Sequence, residues 1–260
     1  MDSLTILGGH DKAGNPEELN ITLIPGDILC IVGPTGAGKS RFLGDIECLA
    51  QGDTPTGRRI LIDQGVPNAK GRFAGKLVAQ LSQNMNFIMD LRVREFILMH
   101  AESRNLDAEE TLVARIVFAA NQLTGEALSP ETPLTQLSGG QSRSLMIADT
   151  ALLSPAPVVL IDELENAGVD RQKALEILVG EDKIVLVSTH DPVMALLGQR
   201  RLCIHGGAVR HIITTTTQER QNALLMTAIN ERFLALRELL RNGETLDFDM
   251  SAYFLVRGNL

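Results

Sequence analysis

The sequence predicts an α/β fold, in which a core with a mostly parallel β-sheet carries a helical insertion and a C-terminal helical extension. Short strand patterns alternate with helical patterns along most of the chain, which is typical of this class. Two runs, Val158–Ile161 and Ile184–Ser188, are wholly apolar, as expected of strands buried on both faces of a parallel sheet. A glycine-rich segment, Gly33–Ser40, separates a strand pattern from a helix pattern.

The remaining elements follow from hydrophobic periodicity and turn residues. Besides the two apolar runs, we predict strands at Leu19–Ile24, Ile28–Val32, Arg59–Ile62, Leu77–Leu81, Arg201–His205 and Val209–Thr214. We predict helices at Lys39–Ala50, Arg94–Arg104, Ala108–Leu123, Gln141–Leu153, Arg171–Val179, Pro192–Leu197 and Gln218–Arg241. The chain then divides into the first part of the core (1–83), a helical subdomain (84–136), the second part of the core (137–216) and the C-terminal extension (217–260).

The last predicted helix is amphipathic. Its apolar residues recur at helical spacing, and we expect them to be buried against the core, a second copy or a partner, because an exposed stripe of this size favours aggregation. The stripe consists of Leu224, Leu225, Ile229, Phe233, Leu236 and Leu239.

The composition argues against several classes of function. The chain has 260 residues and a formal net charge of -8, which does not suit a general nucleic-acid binder, and we expect no nucleic-acid partner. No apolar run approaches the roughly 18 residues that span a bilayer, and the N-terminus does not resemble a signal peptide. Cys30, Cys48 and Cys203 show no metal-binding spacing, so we interpret them as reduced core residues. We therefore expect a cytoplasmic protein. The alternative is a protein attached peripherally to the cytoplasmic face of a membrane.

The glycine-rich segment fits the pattern G-x-x-x-x-G-K-[ST] between a strand and a helix, and so predicts the phosphate-binding loop of a P-loop NTPase core. Small residues let the backbone N–H groups approach the phosphates, and the helix that follows points its positive end at them. Lys39 is expected to neutralise the β- and γ-phosphates, and the Ser40 hydroxyl to ligate Mg²⁺. The predicted nucleotide-binding residues here are Gly33, Pro34, Thr35, Gly36, Ala37, Gly38, Lys39, Ser40 and Arg41.

Two carboxylates follow the apolar run Val158–Ile161. Ligands bind at the carboxyl ends of strands in parallel sheets, so Asp162 is placed to hold Mg²⁺ and Glu163 to orient or deprotonate the attacking water. A solvated strand end would show the same residue types, but the phosphate loop upstream favours the functional interpretation.

A third motif, Leu137-Ser138-Gly139-Gly140-Gln141, opens a predicted helix. Its free N–H groups and hydroxyl could bind a second phosphate group, or simply cap the helix. Together with the two motifs above, it makes the chain from about Leu4 to Ile213 resemble the ATP-binding cassette (ABC) family, whose signature this five-residue run matches word for word.

The resemblance implies a mechanism. In the family, two subunits pack head to tail, and each ATP lies between one subunit's phosphate loop and the partner's signature, so Ser138, Gly139, Gly140 and Gln141 would contact ATP bound to the partner. It also implies that Gln83 contacts Mg²⁺ or water, with Gln80 the weaker candidate, and that His190 contacts the γ-phosphate and Glu163. ATP, Mg²⁺ and a homodimer are thus implied.

The chain departs from the family pattern at three places. Leu164-Glu165 stand where Pro-Thr is usual, and the stretch to Asp170 is one residue longer, which affects a loop at the dimer interface. His10 stands where an aromatic residue normally stacks on adenine; it is either the base contact or a loop residue. In the signature helix, Asp149 replaces the usual arginine.

Two hypotheses remain for the process that ATP hydrolysis drives. The first is the ATP-binding subunit of a transporter with a separate membrane permease, because Asp90–Phe96 resembles the permease-contacting stretch of import-type cassettes. The alternative is a soluble ATPase that remodels or matures a cytosolic protein partner, which the altered interface loop and the C-terminal extension favour.

Overall fold

The computed structural model describes residues 1–67, 77–82, 87–107, 109–162 and 168–254, with the backbone only at 251 and 252. Its strands are β1 Leu4–Leu7, β2 Asn20–Leu23, β3 Ile28–Val32, β4 Arg59–Ile62, β5 Val78–Leu81, β6 Val158–Asp162, β7 Ile184–Ser188, β8 Arg200–His205 and β9 Ala208–Thr214. Its α-helices are α1 Lys39–Glu47, α2 Val93–Ser103, α3 Glu110–Leu123, α4 Gly139–Leu152, α5 Arg171–Gly180, α6 Pro192–Leu197, α7 Thr217–Arg241 and α8 Met250–Phe254.

Within the described residues, the main sheet has six strands in the order β5-β6-β7-β3-β8-β9. All adjacent strands are parallel except the last pair, a hairpin that turns at Gly206 and Gly207. The predicted α/β class with a mostly parallel sheet is therefore confirmed. Because β3, β6 and β7 are neighbours that run in one direction, their carboxyl ends meet at one edge of the sheet, where the candidate site lies.

A second, three-stranded antiparallel sheet has the order β2-β1-β4. Strand β1, which has no predicted counterpart, pairs with β2 on one side and with β4 on the other. Consequently β2 and β3, which are joined by the turn at Pro25–Gly26, belong to different sheets. A buried cluster contains residues of both sheets and of α1, so the helix that follows the phosphate loop is fixed by packing on several sides.

Helix α4 connects the sheet to the helical part of the chain. Its residues Ile147 and Ala151 pack in the cluster on one face of the main sheet, while Leu145 and Ala148 pack with α2 and α3. The bounds of the predicted helical subdomain remain a prediction.

The C-terminal helix α7 is only partly buried within the chain. Ala223 and Leu236 are buried, but Leu224 is 68% exposed and Phe233 49% exposed, although α8 places the Phe254 ring 4.7 Å from that of Phe233. Of the three predicted ways to bury the stripe, the core covers Leu236 but leaves Leu224 and Phe233 exposed. Burial by a second copy or a partner stays a prediction.

The cysteines occupy three different environments. Cys30 in β3 is buried, Cys203 is half-buried, and Cys48 is exposed at the end of α1, so the interpretation of Cys48 as a core residue is wrong. Helical periodicity did not reveal that α1 ends one residue before it.

Cys48 should react with a thiol reagent much faster than Cys30 in the native protein. Burial raises the pKa of the Cys30 thiol to about 11, so almost no thiolate forms near pH 8, and the side chain is also inaccessible. Mass spectrometry after brief iodoacetamide treatment should find the label on Cys48, and on Cys30 only after denaturation. Equal labelling of the two in the native state would contradict this placement.

Candidate nucleotide site

The phosphate loop runs from the end of β3 to the start of α1 and lies against the β8–β9 hairpin. Gly33 has φ 154° and Gly38 has φ 112°, in the region that favours glycine. A Cβ on Gly33 would lie 2.3 Å from the Ile204 carbonyl oxygen, and one on Gly38 would lie 3.1 Å from Gly207 Cα. Two of the predicted glycines are therefore required by backbone conformation and by close approach.

Lys39 lies at the centre of this loop and is buried. Its Nζ donates to the carbonyl oxygens of Gly33 at 2.8 Å and Pro34 at 3.4 Å. His190, which follows β7, places Nε2 3.0 Å from the same Nζ. Because an ammonium group can only donate, Nε2 is the acceptor in this contact. Two predicted catalytic residues from distant parts of the sequence are thus in direct contact.

Ser40 and Asp162 form the second polar pair. The Ser40 hydroxyl lies 3.5 Å from Asp162 Oδ2, with Ser40 at the start of α1 and Asp162 at the end of β6. Both are hard oxygen donors of the kind that Mg²⁺ prefers. The other predicted residues, Glu163 and Gln83, lie outside the described residues.

The weaker alternative to Gln83 does not belong to this site. In the amide orientation that its surroundings favour, Gln80 donates to both Glu47 carboxylate oxygens at 3.1 Å. Glu47 ends α1, and the phosphate loop precedes the other end of that helix. Gln80 therefore lies beside the wrong end of α1 to contact the phosphates.

A cavity of about 820 Å³ opens beside the phosphate loop. His10 lines it, with its ring against the Gly57 backbone, where a Cβ would lie 3.2 Å from His10 Cδ2. His10 thus faces the same cavity as the loop, which is the placement that its predicted role requires. The other lining residues are Asp11, Lys12, Ala13, Gly14, Thr35, Gly36, Gly38, Lys39, Ser40, Arg41, Pro55, Thr56, His190 and Gly207.

The turn that follows His10 contains residues that the sequence analysis missed. Asp11 Oδ1 accepts from the backbone N–H groups of Ala13 and Asn15, and Oδ2 accepts from the Asn15 side chain and, at 2.8 Å, from Arg210. The Asn15 side chain, with these other donors, holds the pKa of the Asp11 carboxyl well below its usual range. The adjacent Lys12 donates from Nζ to the Gly36 carbonyl oxygen at 3.0 Å. The local signal was an Asp-x-x-x-Asn turn, but its position over the cavity depends on tertiary contacts.

A fully buried ion cluster around Arg58 lies next to the cavity and contacts its lining residue Gly207. Arg58 forms two bonds with Glu17, at 2.7 and 2.8 Å, and one with Asp45 at 2.9 Å. It also donates to the Gly207 carbonyl oxygen at 2.7 Å. Desolvation opposes the charge on Arg58, but the two carboxylates outweigh it and raise the pKa of the guanidinium. Glu17 lies two residues after the turn that Asp11 closes, Asp45 lies in α1 and Arg58 directly precedes β4, so the cluster links these segments to the β8–β9 hairpin.

The signature segment does not line the cavity beside the phosphate loop: of the residues that the structure describes, none from 138 to 141 is part of its lining. Ser138 and Gln141 form a reciprocal capping pair at the start of α4, at 3.3 and 2.9 Å, while Ser138 and Gly139 remain exposed. The structure therefore does not bring the signature to the phosphate loop of its own chain.

Asp149, the departure in the signature helix, has a local structural role. Its Oδ1 lies 3.0 Å from His100 Nδ1 and 3.8 Å from Arg104 Nη1, and it is almost fully buried. Asp149 therefore ties α4 to α2.

Comparisons with known proteins agree with this geometry. A family model described as ABC transporter matches residues 16–166. An uncharacterised ABC transporter ATP-binding protein of Methanocaldococcus jannaschii is 51% identical over 249 residues, which cover 95% of both chains.

Solved structures show the same fold. The cbiO1 protein of Clostridium perfringens, described as part of the ABC transporter complex cbiONQ, has a TM-score of 0.63 at 20% identity, covering 92% of this chain and 98% of its own. A dimeric ATP-binding cassette in a post-hydrolysis state with ADP and phosphate has a TM-score of 0.60 at 23% identity, covering 82% and 99%.

Proposed function

The chain belongs to the ABC transporter family as an ATP-binding and ATP-hydrolysing subunit, and from this premise we propose that it hydrolyses Mg-ATP in a head-to-tail homodimer that drives a separate membrane permease. The observation that carries the proposal is the separation of two half-sites. Lys39, Ser40 and Asp162 converge at one edge of the sheet, whereas the signature segment is exposed and away from that cavity.

The phosphate loop binds the triphosphate through its backbone N–H groups and Lys39. The Lys39 ammonium donates to two neutral carbonyl oxygens and His190, which are weaker partners than a phosphate. ATP therefore draws Lys39 towards the β- and γ-phosphates and releases His190 to contact the γ-phosphate. Arg41 and the helix N-terminus add positive potential on the same side.

Ser40 and Asp162 fit a magnesium ion, since their oxygens lie 3.5 Å apart at the end of the loop and of β6. When bound, the ion neutralises phosphate charge during transfer. We propose Gln83 as a further ligand and Glu163, which directly follows Asp162, as the group that orients the attacking water.

The homodimer completes the site. Ser138 caps α4 and Gly139 begins it. The Ser138 N–H is used in the capping pair, but its exposed hydroxyl accepts from Gln141 and keeps its own proton, so this proton and the N–H of Gly139 can be offered to a phosphate on another chain. We propose that Ser138, Gly139, Gly140 and Gln141 of one subunit close on ATP held by the phosphate loop of its partner. The Gln141 side chain, held in the capping pair, positions Ser138.

The permease is the proposed partner in transport. No helix within the described part of the chain is both long and apolar enough to cross a membrane. The solved cbiO1 protein is described as part of a transporter complex, which supports a subunit bound at the cytoplasmic face of the membrane. The alternative of a soluble ATPase that remodels a cytosolic protein gains no support from these comparisons.

The variant Glu163→Gln should bind Mg-ATP, hydrolyse it very slowly and accumulate as a dimer. Glutamine keeps the shape of the side chain but removes the negative charge that orients water, so the shared ATP persists and stabilises the dimer by mass action. Light scattering should show monomer without nucleotide and dimer with Mg-ATP. The matched control is Glu176→Gln, an exposed position on α5, which should hydrolyse ATP as the parent does.

Mixing two inactive variants tests whether sites form between chains. Lys39→Ala inactivates a chain's own loop, whereas Gly139→Asp inactivates only the site on its partner; a Cβ at Gly139 meets just Arg143 Nη1, at 3.8 Å, so the fold accommodates it. Random pairing leaves about a quarter of sites intact if sites act independently. Recovered activity would establish sites built by two copies. Absence of both recovery and the ATP-dependent Glu163→Gln dimer would contradict the homodimer.

A further inference from the structure

We infer that Lys12 is a second phosphate-binding cation of the nucleotide site and supplies affinity that an aromatic base contact would otherwise provide. The inference rests on the proposed function of the site. Lys12 Nζ lies 3.0 Å from the carbonyl oxygen of Gly36, a residue of the phosphate loop, and its side chain lines the cavity.

The backbone around Lys12 is fixed before ATP binds. Its N–H donates to the Gly206 carbonyl oxygen at 3.0 Å, and a Cβ on Gly207 would lie 2.9 Å from Lys12 Cγ, so the lysine stem lies flat on the hairpin. On the other side, Asp11 closes the turn with three hydrogen bonds and a bond from Arg210. A preorganised turn reduces the entropy cost of placing the ammonium near a ligand.

The contact made by Lys12 parallels the one made by Lys39. Both ammonium groups donate to carbonyl oxygens of the same loop, Lys12 to Gly36 and Lys39 to Gly33. A neutral carbonyl is a weaker acceptor than a phosphate oxygen. Because the loop surrounds the phosphates with N–H groups, an ammonium within 3.0 Å of it lies at the edge of the phosphate site. Rotation about the terminal bonds of the side chain, beyond the atoms that lie against Gly207, then lets the ammonium turn from Gly36 to the nucleotide.

The charge and composition of the cavity agree with this role. Its described lining contains Lys12, Lys39 and Arg41, while its acidic member, Asp11, is paired with Arg210. This concentrates positive potential in a chain of net charge -8. None of the described lining residues is Phe, Tyr or Trp, and of the two histidines in the lining, His190 contacts Lys39, which leaves His10 as the ring for the base. Phosphate contacts must then carry a larger share of the affinity.

Binding of Mg-ATP and Mg-GTP by calorimetry to the parent and to three Lys12 variants tests the inference. Lys12→Met removes the charge and the hydrogen bond; Lys12→Gln keeps a donor for Gly36 but removes the charge; Lys12→Arg keeps both. We expect Lys12→Met and Lys12→Gln to weaken binding roughly tenfold for both nucleotides, and Lys12→Arg to bind them nearly as the parent does. The loss should shrink between low and high salt, because it is electrostatic. Arg237→Met, an exposed charge on α7, is the matched control.

Several results would overturn the inference. Parent-like binding by Lys12→Gln would make Lys12 a structural contact to Gly36, and parent-like binding by Lys12→Met would remove any role in affinity. A loss confined to Mg-ATP would assign Lys12 to the base, and a loss that is the same at all salt concentrations would exclude a charge effect. Failure of the proposed function looks different, since the parent itself would then not bind Mg-ATP, or Lys39→Ala would bind and hydrolyse it normally.

Discussion

Replacing Lys39 with alanine should reduce ATP hydrolysis by about 100-fold or more, the loss typical when one preorganised charge contact to a transition state is removed. Lys39 is the buried cation of the phosphate loop, and Lys12 contacts a different part of the loop. Phosphoryl transfer depends almost entirely on positioning and charge stabilisation, so removing the buried ammonium removes a large part of the catalysis.

The measurement is phosphate release by the purified variant at saturating Mg-ATP. Circular dichroism should show an intact fold. The Lys39 ammonium bonds to two carbonyl oxygens of the loop and to His190. Because these groups line the cavity, water can take the place of the ammonium. Arg237→Met again serves as the control for loss of one positive charge. A Lys39→Ala protein that retained more than about a tenth of the parent rate would show that Lys39 is not the phosphate-binding lysine.

Replacing Arg58 with methionine should lower the free energy of unfolding by about 3–5 kcal/mol. The side chains of Glu17 and Asp45 are 0% and 1% exposed, and their charges would lose the cation that compensates them. Removing one member of a buried ion cluster costs far more than the cluster itself contributes. Urea unfolding followed by circular dichroism measures the change.

The neighbouring residue provides a matched control. Arg59 is exposed on β4, and Arg59→Met should change the free energy of unfolding by no more than about 0.5 kcal/mol. Adding Glu17→Gln and Asp45→Asn to Arg58→Met should recover part of the loss, because no uncompensated charge remains buried. A loss below about 1 kcal/mol for Arg58→Met would contradict the assigned role of the cluster.

The sequence by itself determined the features that depend on neighbouring residues. Strands β3, β4 and β7 and helix α6 have the predicted bounds, and most other elements differ by one to three residues at their ends. Periodicity and turn residues are local signals, so they survive without knowledge of the fold. The phosphate loop was also predictable, because its chemistry requires particular residues at fixed spacing in one segment.

Only the tertiary structure decided which distant residues meet. Lys39 and His190 are 151 positions apart, and their contact depends on β3 and β7 being parallel neighbours. The pairing of β1, the Arg58 cluster and the contact of Lys12 with Gly36 likewise join segments that carry no common sequence pattern.

The exposure of Cys48 and of the α7 stripe has the same origin. Helical spacing shows which residues share a face, but burial depends on whether another element covers that face. The covering element comes from elsewhere in the chain or from another molecule. Local sequence therefore determined the elements and the phosphate chemistry, whereas long-range packing determined the cavity, its second lysine and the surfaces that remain exposed.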